Sequence, residues 1–130
     1  MQPALPSIGL DHELGFEFAE CTADRVVLTW VVSPRHHQPH GIVHGGVYCA
    51  AVETACSLGA QLWLGDRGRV VGVANHTNFL RAASDGTMTA VAVPLHRGRS
   101  QQLWQVVITD QDDRVVARGE VRLQNLTTPS

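Results

Sequence analysis

A chain of 130 residues with 44% hydrophobic content is long enough to enclose a core and too apolar to be disordered. Its formal net charge of −2 argues against a nucleic-acid binder driven by overall charge, and its ten basic residues are all arginine. The three cysteines, Cys21, Cys49 and Cys56, have no metal-ligand spacing and read as small apolar core residues in a reducing, cytoplasmic compartment.

Residues 1–11 read as a loose lead, with a helical turn around Ile8–Glu13 and no basic n-region of a signal peptide. Phe16–Glu20 is strand-like. A turn at Ala23-Asp24 leads into Arg25–Val32, which is β-branched and reads as a second strand. Ser33–Gly41 is a loop rich in proline and histidine. A helix is expected from about Gly46 to Leu64, with Gly65 as its C-cap. It carries Glu53 and Gln61 and is barely bilayer length, so it reads as a buried helix and not a membrane span. Four strand-like runs follow: Arg69–Leu80, Thr87–His96, Gln101–Thr109 and Arg114–Gln124. Three polar turns separate these four runs, and Arg-Val-Val begins a strand at 25, 69 and 114. Residues 125–130 read as a tail. One helix cannot cover both faces of such a sheet. The expected fold is therefore a single α+β domain over 1–130, an antiparallel sheet wrapped around one long central helix. The open sheet edges favour pairing with another copy.

The most informative stretch is His44-Gly45-Gly46 and the apolar helix after it, interrupted by one acid. Glycines at the start of a helix allow a close backbone approach, and the orphan N–H groups there favour negative charge. A carboxylate in a buried helix is costly unless it has partners or a task.

Gln38-Pro39-His40-Gly41-Ile42-Val43-His44-Gly45-Gly46, Glu53-Thr54 and Ser57 together resemble the hotdog-fold acyl-CoA thioesterases. The closest resemblance is to the group acting on 4-hydroxybenzoyl-CoA, 1,4-dihydroxy-2-naphthoyl-CoA and phenylacetyl-CoA. Val70-Val71-Gly72, Asn78, Arg81 and Pro94-Leu95-His96-Arg97-Gly98-Arg99 extend the match over roughly residues 12–124. The resemblance implies hydrolysis of an aromatic or related acyl-CoA. The Gly45 N–H would lie at the thioester carbonyl, oriented with help from Gln38 and His44. Glu53 would be nucleophile or general base, and Ser57, one turn on, would hold the carboxylate or the water. Family contacts to CoA fall on Gly72, Phe79, Leu80, Arg81 and Ala82. They also fall on His96, Arg97, Gly98, Arg99, Ser100 and Gln101.

No metal and no resident cofactor are expected, since the histidines of the 36–44 loop match no ligand pattern. The partners implied are the acyl-CoA substrate and further copies of the chain, as a dimer or a dimer of dimers (a homotetramer), with no nucleic acid or membrane. Two rival readings are a non-catalytic acyl-CoA-binding module and a hotdog dehydratase or hydratase. Spacing adds one constraint. Glu53 lies eight residues past Gly45, about 12 Å along the helix. If both act on one carbonyl, a second subunit must bring its helix alongside, antiparallel.

Overall fold

A computed structural model describes residues 8–127. Its elements are helix α1 (Gly9–Glu13), strands β1 (Glu17–Cys21) and β2 (Val26–Val31), helix α2 (Gly45–Leu64), and strands β3 (Gly68–Phe79), β4 (Thr87–Arg97), β5 (Gln101–Thr109) and β6 (Val115–Thr127). The strands form one antiparallel sheet in the order β1-β2-β4-β5-β6-β3, and α2 packs on its inner face. This is the hotdog arrangement expected.

The side chains explain the wrapping. Inward positions alternate along the strands: Leu28 and Trp30 on β2, Met88, Ala90 and Ala92 on β4, Trp104, Val106 and Ile108 on β5. They meet Val52, Ala55 and Cys56 of α2. Alanines on β4 let the helix lie close. Trp104 fills the space where Gly59 lacks a side chain, since a Cβ there would stand 2.5 Å from its ring. A mid-helix glycine costs about 1 kcal/mol against alanine. Burying one large apolar side chain returns about 1.5–3 kcal/mol, so packing outweighs propensity at this position. Pro94 is tolerated in β4 because β2 pairs only as far as Ala92 and the register shifts between Pro94 and His96.

Several boundaries differ from the sequence reading. Strand β6 runs to Thr127, so the tail expected at 125 does not begin there; Asn125 is buried inside the strand. The helical turn expected around Ile8–Glu13 is present as α1, which Thr54 ties to α2 by donating to Asp11 at 2.7 Å. The parts of the expected lead and tail at 1–7 and 128–130 lie outside the described residues. Helix α2 is not buried all round: Cys49, Ala50, Glu53, Thr54, Ser57 and Leu58 are half-buried. The sheet ends at β3, an edge strand exposed along most of its length, and no further strand among the described residues pairs with its open edge.

Candidate active site

Helix α2 begins with an arrangement that singles out one donor. His44 is the N-cap, and its Nδ1 accepts the Gly46 N–H at 2.8 Å. The Val47 N–H goes to the His44 carbonyl at 3.0 Å. That leaves the Gly45 N–H with no partner among the described residues. Gly46, expected to share this role, does not. A side chain at Gly45 would run into the Phe79 ring at 2.7 Å, so glycine admits that ring and keeps the amide accessible.

A cavity of about 350 Å³ opens beside this donor. Of the expected residues, Gln38, Gly45, Phe79, Leu80, Arg81 and Ala82 line it, together with Ile42, Val43, Tyr48 and Ala83. The Gln38 Oε1 turns back to the His40 N–H, which leaves its amide N–H groups available to the cavity side. The histidines beside it are used locally. Buried His36 bridges the Ser33 N–H and the Leu14 carbonyl, and His37 bonds the Ser84 carbonyl.

Glu53 is elsewhere, between α2 and the open β3 edge. Ser57 donates to its Oε2 at 3.4 Å, and Asn75 of β3 donates to its Oε1 at 3.2 Å. Asn75 also reaches the Cys49 carbonyl at 3.0 Å, which fixes the amide between the two elements. Gly72 belongs to this cluster, because a Cβ there would lie 2.2 Å from the Glu53 Oε2. The register shifts between Gly72 and Ala74, a bulge of the kind that re-aims a strand beside a site. Glu53 is thus half-buried and doubly hydrogen-bonded, where the sequence suggested full burial. Burial, and secondarily the charge of Glu53, push the Cys56 thiol up, so it stays protonated and unreactive.

The third group, His96, Arg97, Gly98, Arg99, Ser100 and Gln101, sits at the β4–β5 turn. A buried amide pair holds that turn. Asn125 donates to the carbonyls of Gly98 and Arg99 at 3.0 and 3.2 Å, and accepts from Gln102 at 2.9 Å. Gln102 in turn donates to the Ala60 carbonyl of α2 and accepts from Trp104. Arg97 is engaged by Asp24 at 2.9 Å and the Ala23 carbonyl at 2.8 Å, and lies over the Trp63 ring. The side chains of Arg81 and Arg99 have no ion pair among the described residues. Sequence reasoning missed Asn75, Tyr48, Gln102 and Asn125. Tyr48 carried a signal, a polar group in an otherwise apolar run, while the other three stand among polar neighbours that mask them.

Among the described residues no three His, Cys, Asp or Glu side chains gather as a metal site, and no helix is long and apolar enough to cross a membrane. The sheet wrapped on one long helix is the hotdog fold. The chain belongs to the thioesterase superfamily, whose family profile matches residues 40–117. It is 51% identical over 127 residues to Rv1847 of Mycobacterium tuberculosis, covering 95% of this chain and 91% of the relative. The solved structure of that protein aligns with a TM-score of 0.90 at 52% identity, over 92% of this chain and 98% of the other. The proofreading thioesterase EntH of Cronobacter turicensis is 38% identical over 83% of this chain and 80% of its own. The 1,4-dihydroxy-2-naphthoyl-CoA hydrolase of Listeria monocytogenes is 32% identical over 84% of this chain and 89% of its own.

Proposed function

We propose that this thioesterase hydrolyses acyl-CoA thioesters with an aromatic or related acyl group, at a site shared by two copies of the chain. The observation that carries the reading is the Gly45 N–H, which heads a 20-residue helix, borders the cavity and has no partner among the described residues. An orphan donor at the positive end of a helix stabilises the charge that gathers on a thioester oxygen as its carbon is attacked. Gln38 is placed to orient the carbonyl from the opposite loop, and His44 holds the first turn in shape. The names of the Cronobacter and Listeria relatives support thioester chemistry, and the Listeria name supports an aromatic acyl-CoA.

Glu53 supplies the carboxylate. It stands about 12 Å along α2 from Gly45, outside the cavity lining, so one chain does not offer both groups to one carbonyl. The open β3 edge suggests how they meet. A second copy adding its own β3 antiparallel would close that edge and set two α2 helices side by side. Each Glu53 would then face the other copy's Gly45. In the reaction the C–S bond breaks, the acyl carbon gains an oxygen, and CoA leaves as a thiolate that takes up a proton. Glu53 either adds to the carbon, giving an anhydride that water opens, or removes the proton from attacking water, which then supplies the oxygen directly. In single turnover in heavy-oxygen water, label on Glu53 identifies an anhydride opened at the Glu53 carboxyl carbon, since general-base hydrolysis places the label in the product acid alone. Neither needs a resident cofactor. Arg81, on the cavity wall, and Arg99, on the β4–β5 turn, are free to meet CoA phosphates; Arg97 serves as an anchor for the turn.

The test is release of free CoA from a panel of aryl, short-chain and long-chain acyl-CoAs, followed with a thiol reagent. Turnover is expected for aryl thioesters. Glu53→Gln should lower kcat by about 10² or more with fold and assembly intact. Undiminished turnover in a folded Glu53→Gln protein would contradict the assignment.

A further inference from the structure

Tyr48 lines the same cavity as Gly45, and the candidate chemistry above does not use it. Its side chain is 3% exposed, and its phenol oxygen is buried with no hydrogen-bond partner among the described residues. An unpaired buried hydroxyl destabilises the fold, and phenylalanine would fill the same space without that cost. Such an orphan calls for a partner that arrives with a ligand. The position fits one. Tyr48 is three residues after Gly45, on the same side of α2. Helix side chains lean toward the N-terminus, so its ring lies over the first turn, where the Gly45 amide opens. The Phe79 ring, which caps Gly45, is 6.2 Å from the Tyr48 ring at an interplanar angle of 34°.

We infer that the Tyr48 hydroxyl is a specificity-determining donor, which hydrogen-bonds an oxygen carried at the buried end of a flat acyl group. The inference rests on the cavity's being the acyl site of a thioesterase. Ile42, Val43, Leu80 and Phe79 supply an apolar wall for the body of such a group, and Tyr48 supplies the polar contact. Among the described residues nothing competes for this hydroxyl. The Asp110 carboxylate accepts instead from the backbone N–H groups of Asp112 and Arg114 and from the Arg114 side chain, all at 2.9 Å. Burial first, and the Asp110 charge second, push the phenol's ionisation up. It is therefore a neutral donor across the working pH range. The indole N–H of Trp30, whose ring is 6.1 Å from that of Tyr48, is also buried without a partner among the described residues. This raises one competing explanation, a buried water that serves both groups and never meets substrate.

The experiment compares wild type and Tyr48→Phe on benzoyl-CoA and on 3- and 4-hydroxybenzoyl-CoA. In parallel, calorimetry measures binding of the matching non-hydrolysable phenacyl and hydroxyphenacyl thioethers of CoA. Wild type should favour at least one hydroxylated member of each set by about tenfold, the scale of one buried hydrogen bond. Tyr48→Phe should erase that preference and leave the unsubstituted compound unchanged or slightly better. Equal effects on both compounds, an unchanged ratio, or a lowered Tm with no change in preference would overturn the inference, the last pointing to the water. The two readings fail separately. Discrimination by Tyr48 in binding without hydrolysis of any thioester would sink the hydrolase reading alone. Hydrolysis with no contribution from Tyr48 would sink this inference alone.

Discussion

Glu53 is defined by what surrounds it more than by its depth. One oxygen is held by Asn75, and the other faces Ser57 and the bare backbone of Gly72. The Gly72 position gives a test of orientation that leaves the carboxylate in place. In Gly72→Ala the new methyl would stand 2.2 Å from the Glu53 Oε2, the far end of a flexible side chain. The strand should tolerate it, while the carboxylate must swing away. A displacement of about 1 Å costs up to about 10² in rate. Gly72→Ala should therefore lower kcat by about 10- to 100-fold with an unchanged Tm, read by steady-state kinetics and thermal melting. Gly45 and Glu53 were legible in the sequence because their signals are local: two glycines at a helix start and a single acid in an apolar run. Asn75 was not, because its contact with Glu53 spans 22 residues and exists only once β3 lies against α2.

At the scale of elements, the β4–β5 turn is held from within. Asn125 bonds two of its carbonyls, and Gln102 links that amide to α2. If Arg99 on this turn meets a CoA phosphate, Asn125 is a positioning residue for the nucleotide end. Asn125→Leu leaves buried acceptors unpaired, a loss of about 1–3 kcal/mol in stability. It should also raise KM for an acyl-CoA several-fold while leaving KM for the same acyl-pantetheine thioester unchanged, and Asn125→Gln should restore part of the difference. Equal changes on both substrates would reduce Asn125 to a structural residue. The strands themselves were readable from β-branched runs between polar turns, and β5 falls at the expected residues. The end of β6 was hidden because Asn125 and Thr127 look like tail residues. Their place in the ladder depends on pairing with Gly68–Val70 of β3. Arg97 was equally hidden, since its partners lie on the β1–β2 turn.

For the whole molecule, the two halves of the candidate chemistry are set apart along the axis of one helix. The amide opens on the cavity, while the carboxylate faces the unsealed β3 edge. The sequence carried this much through spacing alone, about 12 Å for eight helical residues. It did not show that Glu53 would be left half-covered, because that follows from where the sheet stops. Complementation between two inactive variants tests the shared site most directly. Gly45→Pro removes the N–H at the first helical position, where proline fits, and the extended His44 backbone (φ −64°, ψ 134°) already suits a following proline. Phe79, 55% exposed, can turn aside. Glu53→Gln removes the carboxylate. Each protein alone should be nearly inactive. After equal amounts are unfolded and refolded together, about half the dimers are mixed, and each holds one intact site of its two. Activity should then return to about a quarter of wild type. Continued inactivity, with subunit exchange verified, would contradict a site built from two chains.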